Sequence, residues 1–497
     1  MFTGSETPII ATVVLVALGI LGWGFYRAKP FGKLGILAWL QSVVLMTPWL
    51  VFFGLFAAGI YVNTVGVLLF LIISVGLYIF IGRKLRDLGQ DAIIKQKATQ
   101  RIAALDKASL ESPSDNSPPS LNQESPIATI PDQDLSMIRE IFGIDTFFVT
   151  ETIPYQEGAI FKGNLRGEAQ ETHNSLTTKI QERLDDKYRL FLVESAEGKP
   201  VVIVLPKQKD PRQMTLAQKV FGIILFFATV ATSMEASGLL LKFDFFNSPQ
   251  RYPEVLPLAT GILAILIAHE IGHWVIARRY DVRLSLPYFI PSIQIGSFGT
   301  ITRFESLLPN RQTLFDIAIA GPIIGGITSL VMLISGLALS HSGSVFQLPS
   351  EFFKGSILVG TLAKLLLGST LESPLIDVHP LVIIGWVGLV ITALNLMPAG
   401  QLDGGRIVQA IYGRKIARRT TIATLIILGI VSLGNSLAIY WAVVILFLQR
   451  DLERPSLNEI TEPDDIRAAL CLFALFLMII ILIPLTPALA LRLGIGS

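Results

Sequence analysis

Long apolar runs separated by basic clusters are the dominant pattern along the chain. A bilayer core about 30 Å thick requires about 20 apolar residues in helical conformation, and several runs approach this length. The candidate spans are residues 7–26, 36–60, 64–82, 216–235, 256–278, 313–339, 380–398 and 467–491. Two shorter stretches, 420–434 and 436–448, form either one span or a hairpin. The pattern predicts a polytopic α-helical membrane protein with about 8–10 transmembrane helices.

Clusters of Lys and Arg follow the first, third, fifth and seventh spans, within residues 27–33, 83–86, 278–279 and 406–419. Loops rich in Lys and Arg stay in the cytoplasm, and alternate crossings put all four clusters on one side. We therefore expect this side to be cytoplasmic. Charged residues make up only 16% of the chain, against about 25% in soluble proteins. The net charge of +2 gives no reason to expect a nucleic-acid partner.

A polar insert separates the third and fourth spans. Residues 84–106 are charged and favour a helix, and the Ser- and Pro-rich stretch that follows is typical of a flexible linker. Residues 134–207 predict strands with one helix between them. The strands are DTFFVTETI (145–153), GAIFKGNLR (158–166), YRLFLVES (188–195) and KPVVIVLP (199–206), and the helix is 169–187. We expect a small cytoplasmic α+β domain that docks a partner or binds a soluble regulator.

These features divide the chain into five parts. They are N-terminal membrane spans (1–82), a charged helix with a disordered linker (83–133), the α+β module (134–213), a membrane core (214–450) and a C-terminal segment with the last transmembrane helix (451–497). No basic region precedes the first apolar run, so we expect an anchor and not a cleaved signal or transit peptide. Because Cys471 is the single cysteine, a disulfide within the chain and a thiolate zinc site are both excluded.

Three ionisable residues interrupt the apolar stretch LAILIAHEIGHWVIARRY (263–280). His269 and His273 are four apart, so on a helix they share one face and can reach one metal ion. Glu270 lies beside the first ligand, where it can accept a proton from metal-activated water. The alternative is a chance pair of polar residues in a buried helix. Ionisable groups in a membrane span are costly, however, and only five histidines occur in 497 residues. We therefore favour a metal site.

A catalytic zinc site needs a third protein ligand and one open position. The other histidines, at positions 173, 341 and 379, lie in the module or in outer loops, so a carboxylate is expected. The candidates are Asp281, Glu305, Asp316 and Asp403. Asp403 follows the seventh span on the side where the fifth span ends, so it can meet the histidines without crossing the bilayer. Its alternative interpretation is an ordinary turn Asp before Gly.

The motifs resemble those of the site-2 protease family of intramembrane zinc metalloproteases. The matching pieces are His269–His273, then Ala320-Gly321-Pro322, then Asn395-Leu396-Met397-Pro398 leading to Leu402–Gly405. The resemblance covers about residues 256–410. It implies that His269, His273 and Asp403 bind one zinc ion per chain and that Glu270 is the general base. It also implies that Asn395 contacts the substrate or the reaction intermediate.

A narrower resemblance is to the EGY-like branch of chloroplasts and cyanobacteria. It rests on GNLRG at 163–167 and PAGQLDGG at 398–405. This resemblance implies a multi-pass protein of a cyanobacterial plasma or thylakoid membrane, with the active site toward the cytoplasm. The loop at 340–379 is too short for the PDZ domain that some family members carry, so substrate filtering by such a domain is not expected.

Residues 282–304 follow the zinc-binding helix and are rich in Pro, Gly and β-branched residues. We expect a membrane-embedded hairpin or re-entrant loop. Its edge could pair with an unwound substrate, with Gly299 and Thr300 as contacts. The alternative is a structural loop that positions the next span.

The expected function is an intramembrane zinc endopeptidase. It would cleave transmembrane-helix substrates near the cytoplasmic side with zinc-activated water and a Glu general base. An alternative is a zinc-binding membrane chaperone or assembly factor without turnover, suggested by the large module. A transporter is a third hypothesis, but the inverted repeats typical of transporters are not evident. The expected partners are transmembrane protein substrates and the lipid bilayer.

Overall fold

The computed structural model describes residues 21–57 and 130–495 except 156, 196 and 450, together with residue 19 and scattered positions between 66 and 85. The span expected at 7–26, the charged helix at 84–106 and the linker lie largely outside these residues, and the span expected at 64–82 lies partly outside them. The chain divides into two compact units, Met1–Gln123 with Ile426–Val443, and Glu124–Leu425 with Val444–Ser497. The first unit contains helix α1 (Gly32–Ala57), the counterpart of the expected second span.

The second unit begins with an α+β module. Its elements are α2 (Asp132–Glu140), β1 (Phe147–Tyr155), β2 (Gly158–Leu165), α3 (Ala169–Leu184), β3 (Tyr188–Glu194) and β4 (Pro200–Pro206). The strands form one antiparallel sheet in the order β1-β2-β4-β3. Helix α3 covers the sheet, and Phe147, Phe161, Leu176 and Leu192 are fully buried between them. The strand and helix positions expected from alternation are therefore present.

Helix α2 was not expected, because the sequence pattern placed residues up to 133 in a flexible linker. The helix begins at Asp132, and both Asp132 and Asp134 lie in its first turn. Acidic side chains there interact favourably with the positive end of the helix dipole. Ile138 anchors the helix to the module core with no exposed surface. The linker interpretation was therefore wrong for residues 132 and 133.

Helices dominate the remainder of the second unit. They are α4 (Leu216–Leu240), α5 (Tyr252–Arg279), α6 (Arg311–Leu339), α7 (Ile357–Leu367), α8 (Pro380–Asn395), most of α9 (Asp403–Val431), α11 (Asp465–Leu482) and α12 (Pro487–Arg492). Non-helical angles at Gly413, with φ 78° and ψ 173°, divide α9 into two segments. The end of α9 beyond Leu425 and most of α10 (Ser436–Val444) belong to the first unit. Among the described residues, four stretches are long and apolar enough to cross a membrane. They are Leu216–Leu240, Pro249–Arg279, Arg311–Leu339 and Asp465–Leu482. The protein is mostly helical and has the apolar helices of a membrane protein.

The last span differs from the expected 467–491. Helix α11 ends at Leu482, and Ile483 is extended with ψ 127°. Pro484 explains the break, because proline lacks an N–H and forces the preceding residue out of the helical region. The chain then resumes as the short helix α12, so the expected span was too long by several residues.

Small residues let α5, α6 and α8 pack closely. A Cβ atom at Gly272 of α5 would lie 2.5 Å from the carbonyl oxygen of Ala320 in α6. At Gly385 of α8 it would lie 2.4 Å from the backbone nitrogen of Leu333 in α6. Membrane helices commonly pack through small residues. Lipid provides no hydrophobic driving force between helices, so their association depends on van der Waals contact at short distance, which small residues allow. Helix α6 therefore lies directly against both α5 and α8.

The region expected as a hairpin contains two antiparallel strands, β5 (Tyr288–Ser292) and β6 (Gly296–Ile301). The pairing shifts by one residue between Phe289 and Pro291, opposite Gly299, which has φ +108°. This bulge requires glycine, because a side chain is strained at that angle. A second two-stranded antiparallel sheet, β7 (Phe346–Pro349) with β8 (Leu375–Val378), lies between α6 and α8, and α7 lies in the connection between its strands.

Candidate metal centre

Helix α5 places His269 and His273 on one buried face. Their side chains are 5% and 4% exposed. The two Nε2 atoms are 3.1 Å apart, as the four-residue spacing requires when both rings turn toward the same point. Two imidazole nitrogens therefore converge inside the helical core.

Asp403 meets these nitrogens from another helix. It is the first residue of α9 and is 7% exposed. Its Oδ2 lies 3.1 Å from Nε2 of His269, and its Oδ1 lies 3.4 Å from Nε2 of His273. A tight turn delivers it: a Cβ atom at Gly404 would lie 1.9 Å from the carbonyl oxygen of Leu396. The glycine after Asp403 is thus required by close backbone contact.

The three donors fit a zinc ion. Ligands about 2.0–2.1 Å from a tetrahedral zinc lie about 3.3–3.4 Å from one another. Here the two Nε2 atoms are 3.1 Å apart, and each has one of the two Asp403 oxygens within 3.4 Å. Two neutral imidazoles and one carboxylate are also a ligand set that zinc uses in hydrolytic enzymes. A zinc ion held by these three groups would have a fourth position for a substrate or water.

The orientation of His273 is set by a backbone carbonyl. Its Nδ1 is 2.7 Å from the carbonyl oxygen of Ile317 in α6. Since a carbonyl only accepts, Nδ1 must carry the proton, which leaves the lone pair of Nε2 directed at the metal position. Outer partners of this kind hold the ligand ring and its tautomer in metal sites.

Two glycines of α6 make room for the two imidazoles. A Cβ atom at Gly321 would lie 2.2 Å from Nε2 of His273, and one at Gly325 would lie 3.0 Å from Cβ of His269. The glycines have the same four-residue spacing as the histidines, so each faces one ring. Sequence reasoning treated Ala320-Gly321-Pro322 as a family motif without a stated role. The matching four-residue spacing was the signal that could have indicated this packing.

Glu270 points toward the hairpin. Both of its carboxylate oxygens accept hydrogen bonds from hydroxyl groups, one from Thr300 and one from Thr302. The Thr302 bond is 2.6 Å long. Thr300 and Thr302 are two apart in an extended chain, so their side chains face the same way. Thr302 was not among the residues predicted from the sequence, although its two-residue spacing from Thr300 could have indicated that both side chains face Glu270.

Asn395 and Gly299 lie beside the metal-binding residues. Asn395 ends α8 and is 4% exposed, and a Cβ atom at Gly299 would lie 2.6 Å from its Nδ2. A cavity of about 10 Å³ is lined by Glu270, His273, Thr300, Ile301, Thr302, Asn395, Gln401, Leu402, Asp403 and Arg406. That volume is close to the space for one water molecule. The structure thus brings together all seven of the candidate residues.

The other carboxylates considered as ligands are engaged elsewhere or distant. Asp316 accepts two hydrogen bonds of 2.7 Å from Arg467. Glu305 accepts from the backbone nitrogen of Met214 at 2.9 Å. Asp281 lies beyond the end of α5 at Arg279, which is itself about 9 Å along the helix from His273 at 1.5 Å per residue. Asp403 is the carboxylate that approaches both histidines.

A helix carrying His-Glu-x-x-His, completed by a carboxylate from a second helix and set among apolar helices, defines a membrane metallohydrolase. Residues 257–434 match the model of peptidase family M50, and residues 136–212 match the EGY3 middle domain. No solved structure matches the chain.

Three curated relatives are similar over most of the chain. "Probable zinc metalloprotease EGY1, chloroplastic" of Arabidopsis thaliana is 39% identical over 73% of this chain and 73% of its own length. The EGY2 protein of Oryza sativa subsp. indica is 39% identical over 72% and 68%, respectively. The EGY3 protein of Arabidopsis thaliana is 34% identical over 68% and 63%. The chain belongs to the EGY zinc metalloproteases of peptidase family M50. The expected family, enzyme class and zinc cofactor are confirmed.

Proposed function

We propose that the protein is an intramembrane zinc endopeptidase that cleaves transmembrane-helix substrates near the cytoplasmic side. His269, His273 and Asp403 hold one zinc ion, and Glu270 is the general base. The observation that carries the proposal is the convergence of two imidazole nitrogens 3.1 Å apart with the Asp403 carboxylate, one oxygen of which lies 3.1 Å from His269 and the other 3.4 Å from His273, with Glu270 in the same helix turn.

When bound, zinc supplies a Lewis acid that activates water and polarises the scissile carbonyl. Glu270 accepts the proton of the attacking water and returns it to the leaving amine. The hydroxyls of Thr300 and Thr302 hold its carboxylate toward the cavity. The surrounding helices limit access of bulk water.

The substrate binds beside strand β6. Among the described residues, β6 pairs with β5 alone, so its other edge has no strand partner. An unwound substrate segment can add there by backbone hydrogen bonding. Gly299 and Thr300 contact this segment, and Asn395 contacts the substrate or the reaction intermediate next to Gly299.

We also propose how the chain is arranged in the membrane. The protein has about 8–10 transmembrane helices, with the α+β module at the cytoplasmic face and the five-part division given above. Basic clusters after alternate spans support this orientation. The protein lies in a cyanobacterial plasma or thylakoid membrane, where transmembrane proteins are its substrates.

The test is a comparison of Glu270→Gln with the parent in a deletion strain. We expect about one zinc per chain in both purified proteins, because the ligands are unchanged. Mapping of new protein N-termini should find cleavage within transmembrane segments in the parent alone, since general acid–base groups contribute about 10²–10⁴-fold. If the Glu270→Gln protein rescues every phenotype of the deletion without cleavage, the chaperone or assembly-factor function would replace this proposal.

A further inference from the structure

A buried ion pair lies behind the residues that hold Glu270. Oε2 of Glu453 lies 3.0 Å from Nε and 2.9 Å from Nη2 of Arg406. Arg406 is 6% and Glu453 7% exposed. A charge at this depth requires a partner, so each residue depends on the other to remain in place.

Arg406 also reaches the hairpin. It lies three residues after Asp403, on the same helix, so it follows the metal-binding carboxylate by about one turn. Its Nη2 donates to the carbonyl oxygen of Thr302 at 2.7 Å. Its guanidinium lies 4.8 Å from the ring centroid of Phe304. Arg406 therefore fixes the end of β6 relative to helix α9.

The same threonine holds the general base. The Thr302 hydroxyl donates to Oε2 of Glu270 at 2.6 Å, while the Thr302 carbonyl accepts from Arg406. Thr302 thus connects the Glu270 carboxylate to the Arg406 guanidinium. A continuous path of direct contacts runs from Glu453 through Arg406 and Thr302 to Glu270.

Side chains of α9 hold Glu453 in place through hydrogen bonds to its backbone. Its N–H donates to Oε1 of Gln409 at 3.0 Å, and its carbonyl accepts from Nε2 of Gln409 at 3.1 Å. The carbonyl also accepts from Arg414 at 2.5 Å. Gln409 lies before and Arg414 directly after the break in α9 at Gly413, so the chain around Glu453 is bound on both sides of that break.

The following residues connect this segment to the α+β module. The N–H of Leu192, on edge strand β3, donates to the carbonyl of Leu457 at 2.8 Å, and the N–H of Glu459 donates to the carbonyl of Leu192 at 2.9 Å. Asn458 is fully buried, and its Nδ2 donates to Oε1 of Gln170 at the start of α3. Residues 451–459, here called the strap, therefore join β3 to α9.

We propose that Arg406 and Glu453 are positioning residues for the general base, and that the strap makes the position of Glu270 depend on the docked α+β module. The inference rests on the proposed function, because it assigns Glu270 the role of base. If the ion pair is lost, Thr302 is no longer fixed and the carboxylate can leave the productive geometry. The metal ligands keep their own contacts.

The test measures the zinc content, kcat and KM of the full chain in liposomes. The substrate is a transmembrane segment whose cleavage has been identified by mapping of new protein N-termini. Glu453→Gln keeps the shape of the side chain but removes its charge. Arg406→Lys keeps the charge but replaces the planar fork of donors. We expect each variant to lower kcat about 10–100-fold, as misplacement by about 1 Å does. KM and zinc content should stay unchanged.

The double variant Arg406→Lys/Glu453→Gln should be no worse than the worse of its two single variants, because both act through one path. Arg467→Gln is the matched control: it breaks a second partly buried ion pair, with Asp316, without contact to Thr302. We expect its kcat to equal that of the parent. An equal loss of kcat in the control would indicate general destabilisation and overturn the inference.

The strap is tested separately. Asn458→Ala removes the contact with Gln170 and should lower kcat in the same direction with a smaller effect. Asn174→Ala removes another partner of Gln170, at 3.2 Å, that does not touch the strap, and it should have no effect. Normal kcat in Glu453→Gln and Arg406→Lys, beside an inactive Glu270→Gln, would overturn the positioning inference alone. An active Glu270→Gln would overturn the proposed function instead.

Discussion

Two places in this molecule bury histidines, and they differ in what surrounds the rings. In the membrane core, His269 and His273 converge with Asp403, and their Nε2 atoms are within 3.4 Å of its carboxylate oxygens. In the α+β module, His173 of α3 is buried alone. It is 6% exposed, and its Nε2 lies 3.4 Å from the carbonyl oxygen of Leu190.

Burial alone therefore does not indicate a metal-binding histidine, whereas convergence with other ligand types does. Nδ1 of His173 has no hydrogen-bond partner within the described part of the chain, and the nearby hydroxyl of Thr177 likewise has none. Burial lowers the pKa of His173, so the ring stays neutral as a packing residue. In the core, a carboxylate and a second imidazole lie where one ion would satisfy all three groups.

The largest effect is expected from removal of one of the three residues proposed to bind zinc. We expect Asp403→Ala or His269→Ala to lose the zinc ion and all measurable cleavage. Each removes one of three ligands, and even outer partners typically contribute 10–100-fold to affinity. Zinc content of detergent-purified protein is the measurement, with His173→Gln as the control that keeps about one zinc per chain. Zinc retained without Asp403 would indicate a different third ligand.

A smaller effect is expected from filling the space opposite His273. In Gly321→Ala the new Cβ would lie 2.2 Å from Nε2 of His273, so the ring must move. We expect zinc affinity to fall about 10–100-fold, as for other changes that displace a ligand without removing it. Competition with a chelator measures this. Gly326→Ala, in the same helix, meets only Thr392 at 3.5 Å and should bind zinc normally. Equal affinities would contradict the packing argument.

Substitution at the hairpin bulge should reduce cleavage without removing the metal. In Gly299→Ala the Cβ would lie 2.6 Å from Nδ2 of Asn395, at φ +108°. We expect lower kcat/KM at normal zinc content, with about 1–3 kcal/mol of backbone strain. Gly343→Ala has similar strain, at φ +91°, but meets open space. The control should therefore cleave normally, and equal loss in both variants would attribute the effect to strain.

The smallest expected effect concerns acid stability of the module. The pKa of His173 is lowered in the folded protein, so below its ordinary value of about 6.5 the unfolded state binds more protons. Stability contributed by the neutral ring is complete above that pH and declines as pH falls below it. Hydrogen exchange of module amides in the full chain, at pH 7 and pH 5.5, should show more loss of protection in the parent than in His173→Gln. Equal loss in both would exclude His173 as the cause.

Local patterns were sufficient for much of the fold. The four strands of the module were located within a few residues, because alternation reports which face of a strand is buried. Apolar length located the helices of the core, and it erred where Pro484 ends α11. Alternation and apolar length carried no information on α2, whose first turn depends on the two aspartates and whose anchor is Ile138.

The four-residue spacing of His269 and His273 specified that they share a helix face, because it matches the 3.6-residue turn. The amino-acid sequence also restricted the third ligand to a few carboxylates. The packing of the helices established which carboxylate approaches the histidines and that two glycines of α6 face the two rings. It also established the path from Glu270 through Thr302 and Arg406 to the strap. These contacts join residues as far apart in the chain as Thr302 and Arg406 or His269 and Asp403. Their formation depends on how whole helices pack, which no local pattern specifies.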